Sequence, residues 1–419
     1  MSQSRHFATK IAGFLVLTLL TASLFLAQTT VPVSARDEVP TPIPTMAVIE
    51  GGAPSDLPRT QAAAAPRFNA FQRFNLDYVK MTGTNEGWGF AGRSVLTSVN
   101  AGLTWKEGTP PEQIMDGIEY QPYGGFLDAK NAWVIYSKNM KIDNPAIIWH
   151  TTDSGRSWTP STPINHQSFG DKMWASFVVI DPLNVYVLIH GLYDAAGPQY
   201  IHGLFRTKDG GITWSELSAD STENYSGMSF ADAQFGLRTI QRTVPYEGNP
   251  PLLDITRDGG ASWESRELPP PAEDPTLFKR YAFCESFQPV ALSFESYRLL
   301  VGCYDNLDPH QLFTGYMYST KNGGGTWLFS KLPEKARADT GQLFYFDAKH
   351  IYLMGKDSFQ SSDDGMKWIY LKVVNWDGQF SFPDRTHGWA VARMKDSVAF
   401  VRTTNRASTW KVLSPMIVK

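Results

Sequence analysis

The apolar positions of this chain fall into three regimes. Ile11 to Ala27 is an unbroken run without charge, preceded by Arg5 and Lys10 and followed by the small-x-small triplet Val33-Ser34-Ala35. That arrangement predicts a signal peptide over residues 1–35. At about 17 residues the run is marginal for a membrane span, and an uncleaved anchor is the alternative. Residues 36–72 are rich in Pro and Ala, have no apolar period, and predict a disordered spacer. From residue 73 to 419 short apolar runs alternate with compact polar turns, which predicts many short strands.

Two kinds of turn recur in that last regime. "TKDGGITW" (207–214) is matched by "SVNAGLTW" (98–105), "TTDSGRSW" (151–158), "TRDGGASW" (256–263), "TKNGGGTW" (320–327), "SSDDGMKW" (361–368) and "TTNRASTW" (403–410). These are seven copies of Ser/Thr-x-Asp/Asn-x-Gly-x-x-Trp, the last with Ala407 in place of glycine. Their tryptophans lie 41 to 64 residues apart, which is the spacing of a repeat architecture. A quieter turn precedes most copies: "FLDAKNAW" (126–133), "VIDPLNVY" (179–186), "FADAQFGL" (230–237), "YFDAKHIY" (345–352) and "FPDRTHGW" (382–389). Each places an Asp five residues before a bulky apolar residue.

Each unit thus reads as four strands, with the octapeptide turn between the third and fourth. A unit of about 40–45 residues cannot bury both its faces alone, so the units must stack. Seven of them arranged radially predict an all-β, seven-bladed β-propeller of four-stranded antiparallel blades.

The octapeptide carries architecture rather than chemistry. The Ser/Thr hydroxyl and the Asp or Asn oxygen serve backbone N–H groups of the turn, the glycine takes positive φ, and the Trp buries its ring. The structural pairs are Asn100 and Trp105, Asp153 and Trp158, Asp209 and Trp214, Asp258 and Trp263, Asn322 and Trp327, Asp363 and Trp368, and Asn405 and Trp410. A general acid or a metal ligand would not tolerate Asn in three of the seven copies.

The octapeptide resembles the BNR, or Asp-box, repeat of the sialidase-like propellers over residues from about 75 to the end. In style "GWGFAGRSVLTSVNAGLTW" (87–105) and "HGWAVARMKDSVAFVRTTNRASTW" (387–410) are similar to photosystem II stability/assembly factor-like proteins. "DPLNVYVLIHGLYDAAGPQYIHGLFRTKDGGITW" (181–214) is nearer the xyloglucanase-type and sortilin propellers. The resemblance implies the fold; activity lives in sites grafted onto it. Sialidase chemistry would need three converging arginines, the first in an Arg-Ile-Pro segment, and neither "PRFNAF" (66–71) nor "QRFNLDY" (72–78) matches.

Both turn types emerge on one face of such a ring, so a ligand is expected on the other, where the loops are longer. Aromatic residues beside carboxylates there make candidate ligand contacts: Trp174, Tyr193 with Asp194, Tyr246 with Glu247, Tyr304 with Asp305, and Trp376 with Asp377. No catalytic residue, metal ligand or cofactor motif emerges, because the histidines lack ligand spacing and the Gly pairs belong to the turns. No spacing singles out a glycosidase carboxylate pair either. The net charge of −3 gives no reason to expect nucleic acid.

Cys284 and Cys303 lie at facing ends of two antiparallel strands of unit five, and an exported context favours oxidation. A disulfide is expected, worth about 3 kcal/mol for a closed loop of about 20 residues, and two buried free thiols in adjacent strands are the alternative. The sequence therefore predicts a monomeric, secreted or envelope-associated recognition or scaffold propeller. Its partner is a protein or a glycan, and membrane contact comes only through a retained leader. An extracellular glycoside hydrolase is the alternative.

Overall fold

A computed structural model of the chain describes residues 58–111, 121–137, 146–164, 172–193, 199–218, 224–241, 250–281, 283–304 and 312–419. The candidates Asp194, Tyr246, Glu247 and Asp305 lie outside them, as does the side chain of Tyr193. The described residues form a seven-bladed β-propeller with one short helix, Leu277–Arg280. The blades span 78–107, 122–160, 172–218, 224–267, 283–331, 342–373 and 377–413, numbered 1 to 7 here. Each is four consecutive antiparallel strands in chain order.

The two turn types do share a face, which we call the turn face. In every blade one N–H of the octapeptide turn donates to a carbonyl of the turn between the first and second strands. Ser154 meets Lys130 at 3.1 Å, Gly210 meets Leu183 at 3.1 Å and Asp364 meets Lys349 at 3.0 Å. The octapeptide is built as its residue types dictate. The Thr207 hydroxyl donates to Asp209 Oδ1 and accepts the Gly211 N–H, while Asp209 accepts the Thr213 N–H at 3.0 Å and its hydroxyl at 2.6 Å. Burial pushes the Asp209 carboxyl up, but the hydrogen bonds from Thr213, Thr207 and Ile212 outweigh it and hold the group below the usual carboxylate range. In the Asn copies the amide oxygen takes the same N–H and the amide nitrogen donates to the threonine, as Asn100 does to Thr104 at 2.8 Å. Glycine is favoured because this position is left-handed; Gly211 has φ 105°. Ala407 sits at 59° in copy seven.

The core is divided among the blade interfaces. Seven clusters of buried side chains each join two neighbouring blades, and one of them joins blade 7 to blade 1. Trp105 and Trp158 of the octapeptides are fully buried, whereas the other five box tryptophans are half-buried. The bulky residue of the quieter turn has a second role. It reaches the next blade and donates to a turn carbonyl there: Trp88 to Asp128, Trp133 to Gly210, Tyr186 to Ala233, Tyr352 to Arg385 and Trp389 to Ala101. Near the axis, glutamines on the innermost strands do the same. Gln342 accepts the Phe380 N–H at 3.0 Å and donates to the Gly378 carbonyl at 2.8 Å.

The ring closes without exchange of a strand within blade 7. Met416–Val418 instead pairs parallel with Thr104–Glu107 as a fifth strand of blade 1. Gln61–Ala62 adds antiparallel to the outer edge of blade 2. The reading of 36–72 as disordered spacer therefore fails for residues 58–72. Glu107 there accepts the N–H groups of Arg67 and Phe68, and the Phe71 N–H donates to Ile417. Local composition gave no hint of this docking because its partners lie 39 or more residues away.

Candidate functional site

Cys284 and Cys303 face each other in register on the first two strands of blade 5 and are joined by a disulfide. The described aromatic candidates do not converge. Trp174, in blade 3, stacks flat on His190 with centroids 5.1 Å apart. Tyr304 is buried against Phe283, because its strand runs on to residue 304 and the loop begins only beyond it. Trp376 is half-buried and packs edge-on against Trp410 in blade 7. Asp377 is exposed and pairs with Lys356 at 3.0 Å. Tyr304 is thus a core residue, and Trp174 and Trp376 belong to separate blades.

Behind Trp174 lies an unusual polar pair. His190 and His202 face each other across two strands of blade 3, nearly inaccessible, with their Nδ1 atoms 2.8 Å apart. One ring must donate and the other accept, so at most one of the two can carry a charge. Burial pushes His190 down to about 3, helped by His202; burial and the Arg238 charge push His202 to about 4. Among the described residues no group of three or more His, Cys, Asp or Glu could hold a metal ion.

A cavity of about 990 Å³ opens on the loop face, built by blades 7, 1, 2 and 3. Its floor carries Tyr78, Phe90, Tyr123 and Phe177, and its rim carries Asp77, Arg93 and Arg393. The chain puts them there in simple ways. Asp77 enters the first strand of blade 1, and its carboxylate accepts the N–H of Gly92 at 2.6 Å. That bond pins the two-residue turn Gly92-Arg93, whose glycine has φ 55°. Arg393 comes from the far end of blade 7 and donates to the Asp77 carbonyl at 2.6 Å. Neither guanidinium has a carboxylate partner among the described residues.

The floor is aromatic and shielded. Tyr78 stacks on Phe90 at 5.3 Å, and desolvation pushes its hydroxyl up to about 12. Burial also raises Tyr123. Lys80, two residues along the innermost strand, is open to solvent but ringed by protein, and that enclosure lowers its ammonium. The funnel thus offers cations above an apolar floor, with its rim carboxylate already committed to backbone. Arg93 and Arg393 escape a reading that favours long loops, because Arg93 sits in a two-residue turn and Arg393 near the end of a strand. The available signal was that blades 1 and 7 have almost no loop there, leaving the funnel mouth open.

No family model matches the chain, and no curated protein matches it. Solved structures share the fold. A structure described as YCF48 bound to D1 peptide is 15% identical, with TM-score 0.51 over 82% of this chain and 100% of that one. The GH74 xyloglucanase from Xanthomonas campestris is 13% identical, with TM-score 0.50 over 85% of this chain and 56% of that one. A Mycobacterium tuberculosis puromycin-hydrolyzing peptidase is 11% identical, with TM-score 0.52 over 82% of this chain and 53% of that one. At these identities the likeness speaks for the propeller alone.

Proposed function

We propose that this chain is an exported Asp-box propeller that recognises an extended, acidic segment of a partner protein in the funnel, as a scaffold or assembly factor rather than an enzyme. One observation carries the reading: Arg93 and Arg393 stand over an aromatic floor with no acid of their own. Guanidinium forks match carboxylates in geometry and charge. The floor accepts apolar side chains or the backbone of a strand. The similar fold of YCF48, solved with a D1 peptide, supports a peptide in preference to a small molecule. The leader at residues 1–35 supports a location outside the cytoplasm.

The hydrolase reading is less well supported. A glycosidase needs two carboxylates across the scissile bond, whereas Asp77 is the one funnel-lining carboxylate among the described residues and is spent on Gly92. The test is a peptide array of acidic, neutral and basic decamers, followed by titration of the best binder. Arg93→Ala and Arg393→Ala are each expected to weaken an acidic peptide at least about tenfold, with binding that falls as salt rises. Equal binding of all charge classes, or indifference to both substitutions, would refute the reading. Turnover of a polysaccharide that Asp77→Asn abolishes would replace it.

A further inference from the structure

A second cavity, of about 890 Å³, forms a trench over blade 6 on the loop face, away from the funnel. Its walls come from the loop that leads into blade 6, the turn at Gly355–Asp357, the outer strand of that blade and the start of blade 7. We propose that this trench binds a neutral oligosaccharide.

The charges decide the ligand class. Three acidic side chains and three basic ones line the trench, so its formal charge cancels. The pairing is also local. Lys356 meets Asp377 at 3.0 Å within the lining, and Arg337 is held by Asp339, outside it, with two bonds of 3.0 and 2.6 Å. Tyr370 donates to Asp357 at 3.1 Å. The balanced lining offers no net field to an anion or a cation, whereas a polyhydroxylated neutral chain can use donors and acceptors of both kinds. Its hydroxyls donate to the free lone pairs of the carboxylates and accept from the remaining ammonium and guanidinium protons, and such charge-assisted bonds are the stronger kind.

Tyr370 supplies what a sugar needs besides hydrogen bonds, a fixed ring with an open face. The side chain is 49% exposed at the trench wall. It is held at both ends, by Asp357 at the hydroxyl and by Phe359, whose ring meets it edge-on at 5.4 Å. Asp357 also raises the Tyr370 hydroxyl, after the larger effect of desolvation, so the donor keeps its proton. Val373, 51% exposed, extends the apolar surface along the same strand. An immobilised aromatic face beside pre-oriented polar groups costs little ordering entropy on binding.

The experiment is isothermal titration of the full chain with cellohexaose, xylohexaose, mannohexaose and chitohexaose at low and at high salt. At least one is expected to bind saturably and with an affinity that salt does not change. Tyr370→Ala is expected to weaken it at least about tenfold and Tyr370→Phe less than about threefold. Asp377→Asn serves as the second variant should Tyr370→Ala fold poorly, and a several-fold loss is expected. Arg93→Ala, in the funnel, is expected to leave this binding untouched. Absence of binding by all four sugars overturns the proposal, as does full affinity in folded Tyr370→Ala. So does displacement of the sugar by an acidic peptide that needs the same tyrosine.

Discussion

Gln379 closes the ring on Val79: its Oε1 accepts the Val79 N–H at 2.8 Å and its Nε2 donates to the Val79 carbonyl at 3.0 Å. One side chain thereby supplies the two bonds that a neighbouring strand would have made. Gln379→Leu removes both and strands two enclosed backbone groups. It is expected to cost about 2–3 kcal/mol in urea denaturation. An unchanged midpoint would mean that the parallel strand Met416–Val418 and the Trp389 bond hold the seam alone.

Arg298 and Asp364 form a bidentate pair between blades 5 and 6, with bonds of 2.9 and 2.7 Å, and the Arg298 side chain is 1% exposed. Asp364→Asn leaves a buried guanidinium without its counter-charge and is expected to cost about 3 kcal/mol or more. Asp209→Asn is expected to cost less than about 1 kcal/mol, since an asparagine side chain can serve the same turn N–H. Denaturation of the two variants side by side checks the contrast. Equal losses would mean that Asp209 does more than build its turn.

Two glycines separate strain from collision. Gly211 has φ 105°, and a methyl there would lie 2.7 Å from Trp133 Nε1, the group that holds blade 2 to blade 3. Gly92 has φ 55° with nothing within 4 Å of the same methyl. Gly92→Ala is expected to cost about 1–2 kcal/mol from backbone conformation alone. Gly211→Ala should exceed that by about 1–3 kcal/mol from overpacking. Melting curves decide it, and a smaller loss at Gly211 would show that Trp133 moves aside freely.

Acid should loosen blade 3. The His190 and His202 rings titrate at about 3 and about 4 in the fold, below the ordinary 6.5. An unfolded chain therefore takes up protons first as pH falls. Stability is whole above about pH 7 and drains away from about pH 6.5 down to about pH 3, by up to about 1.4 kcal/mol for each unit of depression at each ring. His202→Gln keeps a polar partner that does not ionise and is expected to flatten the profile. Urea midpoints measured across this range test it; a slope identical to the parent chain would place the acid sensitivity elsewhere.

The turns were legible because their chemistry is local. Thr207, Asp209, Gly211 and Thr213 satisfy one another within seven residues, and no distant partner can change that reading. The bulky residue five positions after each Asp was visible too, but not its task, since Trp133 finds its acceptor in blade 3 and Trp389 finds its own in blade 1. The funnel was least legible. Asp77, Arg93 and Arg393 meet only once the ring has closed, and nothing in the turn and strand ends that carry them marks them out. Loop length misled the search for aromatics. Tyr304 borders a long loop, yet its ring is claimed by Phe283 on the adjacent strand.

The clasps from the second strands of five blades to the blade that follows, with the shared cores at all seven seams, make the molecule behave like a barrel of staves under one hoop. In a linear array of repeats, melting starts at the outermost unit, which lacks a neighbour. Here every stave is flanked, so the joint between the last and the first is the natural starting point for unravelling. Linking the present ends and cutting the chain between blades 3 and 4 would move that weak joint to the opposite side of the hoop.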